Sequence, residues 1–274
     1  MAHYIQRSFE NNLPFVSAAR GSTTALAMLN HGDGQYALSI DTGITDVMLA
    51  IGRNDIEQFS MTAAQVEANV LAIATRYSNA GKRAWCFTVP PTTYSNDAWT
   101  SLANQSFPFA TYTTGAAATT AGATTIALTS VNLLTAGMSV GLNGSTNVPA
   151  QAIAPGTTIV SINGTASTIT ISPATSGTLA GGTKLYFGTA TAGGSALETQ
   201  RQAYNSFARA NWRNGGGACT GLIDIDAVVA DQGGSEKWRT DLGQASSDGV
   251  HPSAVLHQAA VNSGMLSPSR FSAP

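Results

Sequence analysis

The apolar positions of this chain follow two different rhythms. Outside residues 110–195, short continuous apolar runs alternate with helix-spaced positions. Leu13–Ala19 is such a run, ended by Arg20 and Gly21, and reads as a buried strand and a turn. Ser22–Leu29 follows as a short helix with Leu26 and Leu29 on one face. Val47–Ile51 is a continuous apolar run stopped by Gly52, the signature of a strand covered on both faces of a parallel sheet. Thr62 and Gln65 then have capping-box spacing, and Val66, Val70, Ile73 and Tyr77 share one face of a helix that stops at Asn79 and Gly81. Arg83–Val89 reads as the next strand, closed by Pro90 and Pro91. A helix over Ala196–Trp212, a strand over Gly221–Val229 and a terminal helix over Ser253–Ser263 complete the series. Strands alternating with helices in this way predict a parallel sheet covered by helices.

Between Ala110 and Ser195 the rhythm changes. Thr124–Thr129, Thr157–Ile162, Ser167–Ile171 and Lys184–Phe187 alternate or carry β-branched residues, and Asn163-Gly164 and Gly181-Gly182 supply turn signals. A low-complexity linker would lack these regular strand signals. The pattern predicts a small all-β module at 110–195, inserted into an α/β core made of 1–109 and 196–274.

Charge draws the same boundary. Of 28 charged side chains, 13 basic and 15 acidic, a single one, Lys184, lies between Ala110 and Ser195. The net charge of −2, with no basic cluster, argues against an electrostatic nucleic-acid partner. No apolar run reaches the roughly 20 residues of a membrane span, and Met1–Asn12 has no apolar signal-peptide core. Four scattered histidines have no metal-site spacing, and two cysteines can build neither a disulfide framework nor a four-ligand zinc site. Cys86, in an apolar run, reads as a buried thiol; a single bridge to Cys219 is the alternative.

Two motifs lie just past the carboxyl ends of predicted strands, where open α/β sheets bind ligands. In Gly52-Arg53-Asn54-Asp55, Asn54 offers a neutral amide donor for a developing oxyanion; an ordinary Gly/Asn/Asp turn is the plain alternative. In Asp248-Gly249-Val250-His251-Pro252, His251 is the one histidine with a carboxylate three residues before it. A general base needs an imidazole whose tautomer and orientation are held by a partner, and Asp248 is placed to supply that. A surface turn that happens to contain His is the alternative here.

Taken in order, these blocks resemble the SGNH (GDSL-like) hydrolase family, named for a nucleophilic Ser, a Gly, an Asn and a His in separate blocks. The Leu13–Ala19 strand followed by Gly21 looks like the Gly block, Gly52-x-Asn54-Asp55 the Asn block and Asp248-x-x-His251 the last. The resemblance spans Tyr4–Phe109 and Ala196–Met265. It implies a flavodoxin-like three-layer parallel sheet of strand order 2-1-3-4-5. It also implies ester hydrolysis through an acyl-enzyme without metal or organic cofactor. His251 would be general base and then acid, and Asp248 would orient it. Gly21, through its backbone N–H, and Asn54, through its side chain, would form the oxyanion hole.

The first family block is missing. No Gly-Asp-Ser occurs, and Gly32-Asp33-Gly34, the nearest string, follows the Gly block rather than preceding it. Ser22 adjoins Gly21 but lies in the wrong block to be the nucleophile. Strand one of such a sheet lies between strands two and three, so its loss would leave buried edges unpaired, each unpaired backbone group costing about 1–3 kcal/mol. The expectation is a preceding segment or a second chain that supplies strand one and the serine. This chain alone is then expected to be inactive. The β module resembles Thr/Ala/Gly-rich modules of phage tail and bacterial surface proteins. That implies an extracellular or virion-associated setting, and acetylated polysaccharide as the acyl ester substrate. A homo-oligomer fits such a setting. The competing expectation is a non-catalytic glycan-binding or structural component built on a degenerate hydrolase fold.

Overall fold

A computed structural model describes residues 21–32, 36, 43–95, 97–142, 152–267 and 271. The Leu13–Ala19 strand, Asp33 and Gly34 therefore lie outside the described residues. By contact the chain divides into two compact units. The first takes in residues up to Pro90, Thr199–Val229 and Leu256 onward; the second is Pro91–Glu198 with Ala230–Val255. The composition boundary had put 91–109 and 230–255 with the α/β core. By contact they group with the β sheet: its first strands begin in 91–109, and Trp238 of 230–255 is bonded to Gln105.

In the first unit, helix α1 (Ala25–His31) starts at Thr24, whose hydroxyl accepts the Ala27 N–H. Strand β1 (Asp46–Leu49) leads through Gly52 into α2 (Arg53–Phe59). Helix α3 (Ala63–Asn79) begins with the expected reciprocal capping box between Thr62 and Gln65, and it buries Val66, Val70, Ile73 and Tyr77. Strand β2 (Arg83–Phe87) follows.

The second unit opens with β3 (Tyr94–Ser95) and the long β4 (Gln105–Thr113). Then come β5 (Thr125–Ala127), β6 (Ser139–Leu142), β7 (Thr158–Asn163), β8 (Thr168–Ser172) and β9 (Lys184–Thr189). They form one antiparallel sheet, ordered β3-β4-β9-β6-β7-β8-β5. A bridge between Thr114 and Leu128 brings the end of β5 back to the end of β4, closing β4 to β5 into a ring with the two-residue β3 outside it and leaving little open edge to pair with other chains. Ile126, Val140, Ile153, Ile159, Ile169 and Phe187 fill its interior. The register of β4 against β9 shifts between Pro108 and Ala110, the kind of irregularity that accommodates a proline inside a strand.

The chain returns through α4 (Ala196–Asn211) to strand β10 (Cys219–Ile223). The sequence pattern had carried this strand on to Val229. The structure ends it at Ile223 and makes Asp226–Val229 a short helix, α5. Asp224 accepts the Ala227 N–H and Asp226 donates its own N–H to Thr88 Oγ1, so the Asp-x-Asp spacing turns the chain. Strands β1, β2 and β10 form a parallel sheet in that order, with α3 against all three and α1 against α3. The last helix, α6, spans Ala254–Asn262. The fold class is thus α/β, with a small three-stranded parallel sheet and a seven-stranded antiparallel module.

Cys86 on β2 and Cys219 on the neighbouring β10 form a disulfide, their Cα atoms 5.8 Å apart. This corrects the reading of Cys86 as a free buried thiol. Adjacent parallel strands bring the two residues within bonding distance across 133 residues of sequence.

Candidate functional site

The sequence-predicted site residues fall into two groups. Gly21 and Asn54 belong to the first unit, Asp248 and His251 to the second.

Gly52 links β1 to α2 with φ +114°, a left-handed conformation that side chains rarely adopt. A Cβ there would also lie 3.0 Å from Val66 Cγ1. This sharp entry sets Asn54 and Asp55 in the first turn of α2. The Asn54 amide donates to the Thr23 carbonyl at 3.0 Å, and its oxygen accepts from Gln58 Nε2 at 3.1 Å. Asp55 is wholly buried and accepts the N–H groups of Ala25 at 2.7 Å and Leu26 at 3.2 Å. Asn54 thus holds Thr23 just before the helix cap, and Asp55 holds the first two N–H groups of α1. Burial pushes the Asp55 carboxyl above its usual range, against the pull of the Ala25 and Leu26 N–H donors. Gly21 sits in an exposed turn two residues before Thr23, and Ser22 beside it is exposed with φ +59°. An Asn side chain has two N–H donors, so the bond to Thr23 leaves one for a ligand.

In the second unit, Asp248 accepts the backbone N–H groups of Val250 (2.9 Å) and His251 (2.8 Å) on one oxygen. Its other oxygen lies 2.7 Å from His251 Nδ1. Asp-x-x-His spacing thus folds as a tight turn in which one carboxylate fixes both the backbone and the ring. Gly249 at its apex has φ +76°, and a Cβ there would lie 2.0 Å from the Thr93 carbonyl oxygen. No other residue fits. Burial alone would push the Asp248 carboxyl up, but the bonds from the His251 ring and from the His251 and Val250 N–H groups outweigh it and hold the carboxyl below its usual range. The His251 side chain is 77% exposed. In the tautomer with its proton on Nδ1, the ring donates to Asp248 and Nε2 is left as the acceptor nitrogen.

The clamp by Asp55 had no separate sequence signal. Its acid was visible in the motif, but its partners on α1 lie about 30 positions upstream. His31 ends α1. Among the described residues, no group of three or more His, Cys, Asp and Glu side chains gathers to hold a metal ion, and no helix is long and apolar enough to cross a membrane. Comparison of the chain with protein-family models, with characterised proteins and with solved structures found no match.

Proposed function

We propose that this chain forms most of an SGNH-type serine esterase acting on acyl esters of carbohydrate, with acetyl esters as the favoured class. The observation that carries the reading is the Asp248–His251 pair, whose 2.7 Å contact to Nδ1 gives the imidazole the tautomer a general base requires. On this reading a serine hydroxyl passes its proton to His251 Nε2 as its oxygen bonds the ester carbonyl carbon. Asp248 stabilises the imidazolium. By the family resemblance alone, the carbonyl oxygen, now negative, would take hydrogen bonds from the Gly21 N–H and the second Asn54 amide proton. His251 then protonates the departing alcohol oxygen, and water repeats the sequence to release the acid and restore the serine.

The serine itself comes from outside this chain, from a segment preceding Met1 or from a second polypeptide. In support, no Gly-Asp-Ser occurs in the sequence, and among the described residues β1 has a strand neighbour on one side only, β2. A strand ending in Gly-Asp-Ser on the other side of β1 would supply both. The disulfide suits an oxidising compartment, which agrees with a surface or virion setting.

The absent serine block also favours a second reading, a non-catalytic glycan-binding or structural component. A serine-reactive fluorophosphonate probe separates the two. The assembled protein is expected to label, His251→Ala to abolish both labelling and ester turnover, and this chain alone to stay unlabelled. An assembly that never labels rules out the esterase. Turnover by this chain alone rules out the external serine and redirects attention to Ser22.

A further inference from the structure

The turn that carries Asp248 and His251 rests on a buried polar socket. Ser246, fully buried, lies under the turn. Its oxygen accepts the Gly249 N–H at 2.8 Å and the Asp248 N–H at 3.3 Å, and its proton goes to the His251 carbonyl at 2.6 Å, with Asp248 Oδ1 a longer alternative at 3.3 Å. A hydroxyl has one proton and two lone pairs, so these contacts use its whole capacity. One layer further in, the Gly249 carbonyl accepts from Trp238 Nε1 at 2.9 Å and from the Thr93 N–H at 3.1 Å. Gln105 holds Trp238 by its backbone in both directions, accepting its N–H at 3.1 Å and donating to its carbonyl at 2.9 Å. Trp99 Nε1 donates to Thr93 Oγ1, and that hydroxyl donates to Gln105 Oε1, each at 3.0 Å. Thr93, Trp99, Gln105 and Trp238 are all at most 2% exposed. Polar groups this deeply buried are costly unless bonded, and a network with its partners in place holds one geometry.

We propose that Ser246 is a positioning residue for His251. By holding both backbone ends of the turn, its hydroxyl keeps Asp248 Oδ2 on Nδ1–H and leaves Nε2 for proton transfer. This rests on reading the pair as base and orienter. Without the hydroxyl, the Asp248 and Gly249 N–H groups and the His251 carbonyl lose their shared partner, and the ring relaxes toward the Nε2–H tautomer that histidine side chains favour in water.

The test is nitrogen NMR of the His251 ring in the full chain, with hydrogen exchange at the turn amides. Wild type is expected to hold mainly the Nδ1–H tautomer, with the Gly249 amide exchanging at least about tenfold more slowly than amides of an exposed turn. Ser246→Ala is expected to lose that protection and to move His251 to mostly Nε2–H, as Asp248→Asn does by direct loss of the acceptor. Should Ser246→Ala not fold, Ser246→Cys, close in size but a weak hydrogen-bonding group, is expected to give an intermediate tautomer ratio. A folded Ser246 variant with wild-type tautomer and protection overturns the proposal, as does a wild-type Gly249 amide that exchanges freely. Neither readout uses turnover. A tautomer that moves in a protein that never hydrolyses an ester defeats the esterase reading and leaves the positioning role standing.

Discussion

The parallel-sheet unit and the closed β sheet bury polar groups by opposite means. In the first, charge faces charge. Arg201 and Asp226, with side chains 3% and 2% exposed, meet at 2.5 Å, and Arg201 also donates to the Val89 carbonyl at 2.9 Å. Arg209 spans Asp224 and Asp226, and Asp55 caps the start of α1. Asn205 closes the end of β2 by bonding both the N–H and the carbonyl of Val89. In the closed sheet, threonine hydroxyls take this part. Thr114 Oγ1 donates to the Ala180 carbonyl and accepts the Thr183 N–H. Thr175 Oγ1 donates to the Thr120 carbonyl and accepts the Ala123 N–H, and Thr157 Oγ1 donates to the Ala154 carbonyl. A hydroxyl can satisfy a buried carbonyl without the desolvation of an ion, so an almost uncharged segment can still bond carbonyls that it buries. The low charge of residues 110–195 is therefore a different solution to backbone satisfaction, rather than a mark of a weakly folded linker.

The contrast can be broken most strongly at the disulfide. Cys86–Cys219 joins two strands of the first unit and closes a loop of 133 residues that runs through Pro91–Glu198 of the second, worth about 5 kcal/mol in the chain-entropy account when the whole loop is unfolded. Cys86→Ser is expected to remove a large part of this from the first unit and little from the closed sheet. Hydrogen exchange followed segment by segment in denaturant is the measurement. Equal loss in β2 and in β7 would show that the two units do not unfold independently. A smaller effect is expected at Arg201. Arg201→Ala leaves Asp226 buried with Arg209 as its remaining cation at 2.7 Å. Breaking a buried pair costs about 3–5 kcal/mol, and the retained Arg209 sets the expectation near the low end. Loss of protection in α4 and β10, with β6–β9 unchanged, is the pattern that supports a charge-held unit.

How much of this was legible depends on how local the cause is. The capping box of α3 and its buried face follow from residues three and four apart, and both appear as read. The hairpin between β7 and β8 follows from Asn163-Gly164 in the same way. What the sequence concealed is tertiary. The disulfide joins residues on neighbouring strands far apart in the chain. Strand β4 was hidden by Pro108, which local rules count against a strand and the register shift absorbs. Residues 230–255 have neither period, yet they hold Trp238 and the Asp248 turn, and only their contacts with Thr93, Trp99 and Gln105 give them a place. At the candidate site, the Asp248–His251 contact was legible because a three-residue spacing nearly determines it. The bond from Asn54 to Thr23 and the capping of α1 by Asp55 needed the fold.

Acid gives the gentlest way to sharpen the comparison. Burial alone would raise the Asp224 carboxyl, but the Arg209 guanidinium, by hydrogen bond and charge, and Thr88 hold it below its usual range. A carboxyl lowered in the fold contributes stability above its unfolded value, about 3.9, and loses it as pH falls through the lower folded value. Asp55 shifts the other way. Its raised folded value means that its ionisation opposes folding, and this opposition fades as pH falls through that value. Asp224 on one side and Asp55, with Glu67 raised likewise by burial, on the other therefore offset each other in part, which makes the net acid effect the smallest of those expected. Residues 110–195 have no carboxylate of their own, so openings confined to them should show no carboxylate-linked loss, whereas the lowered carboxyls of Asp97, Asp231, Asp241 and Asp248 tie the rest of the second unit to pH. Between about pH 5 and pH 2, exchange protection should fall in β10 and α4 while that of β7 and β8 stays level. Asp55→Asn, which removes the opposing ionisation, should make the first unit's decline steeper. An equal decline in both regions would mean that acid acts on the chain as a whole and that the charge-held and hydroxyl-held halves are not separately poised.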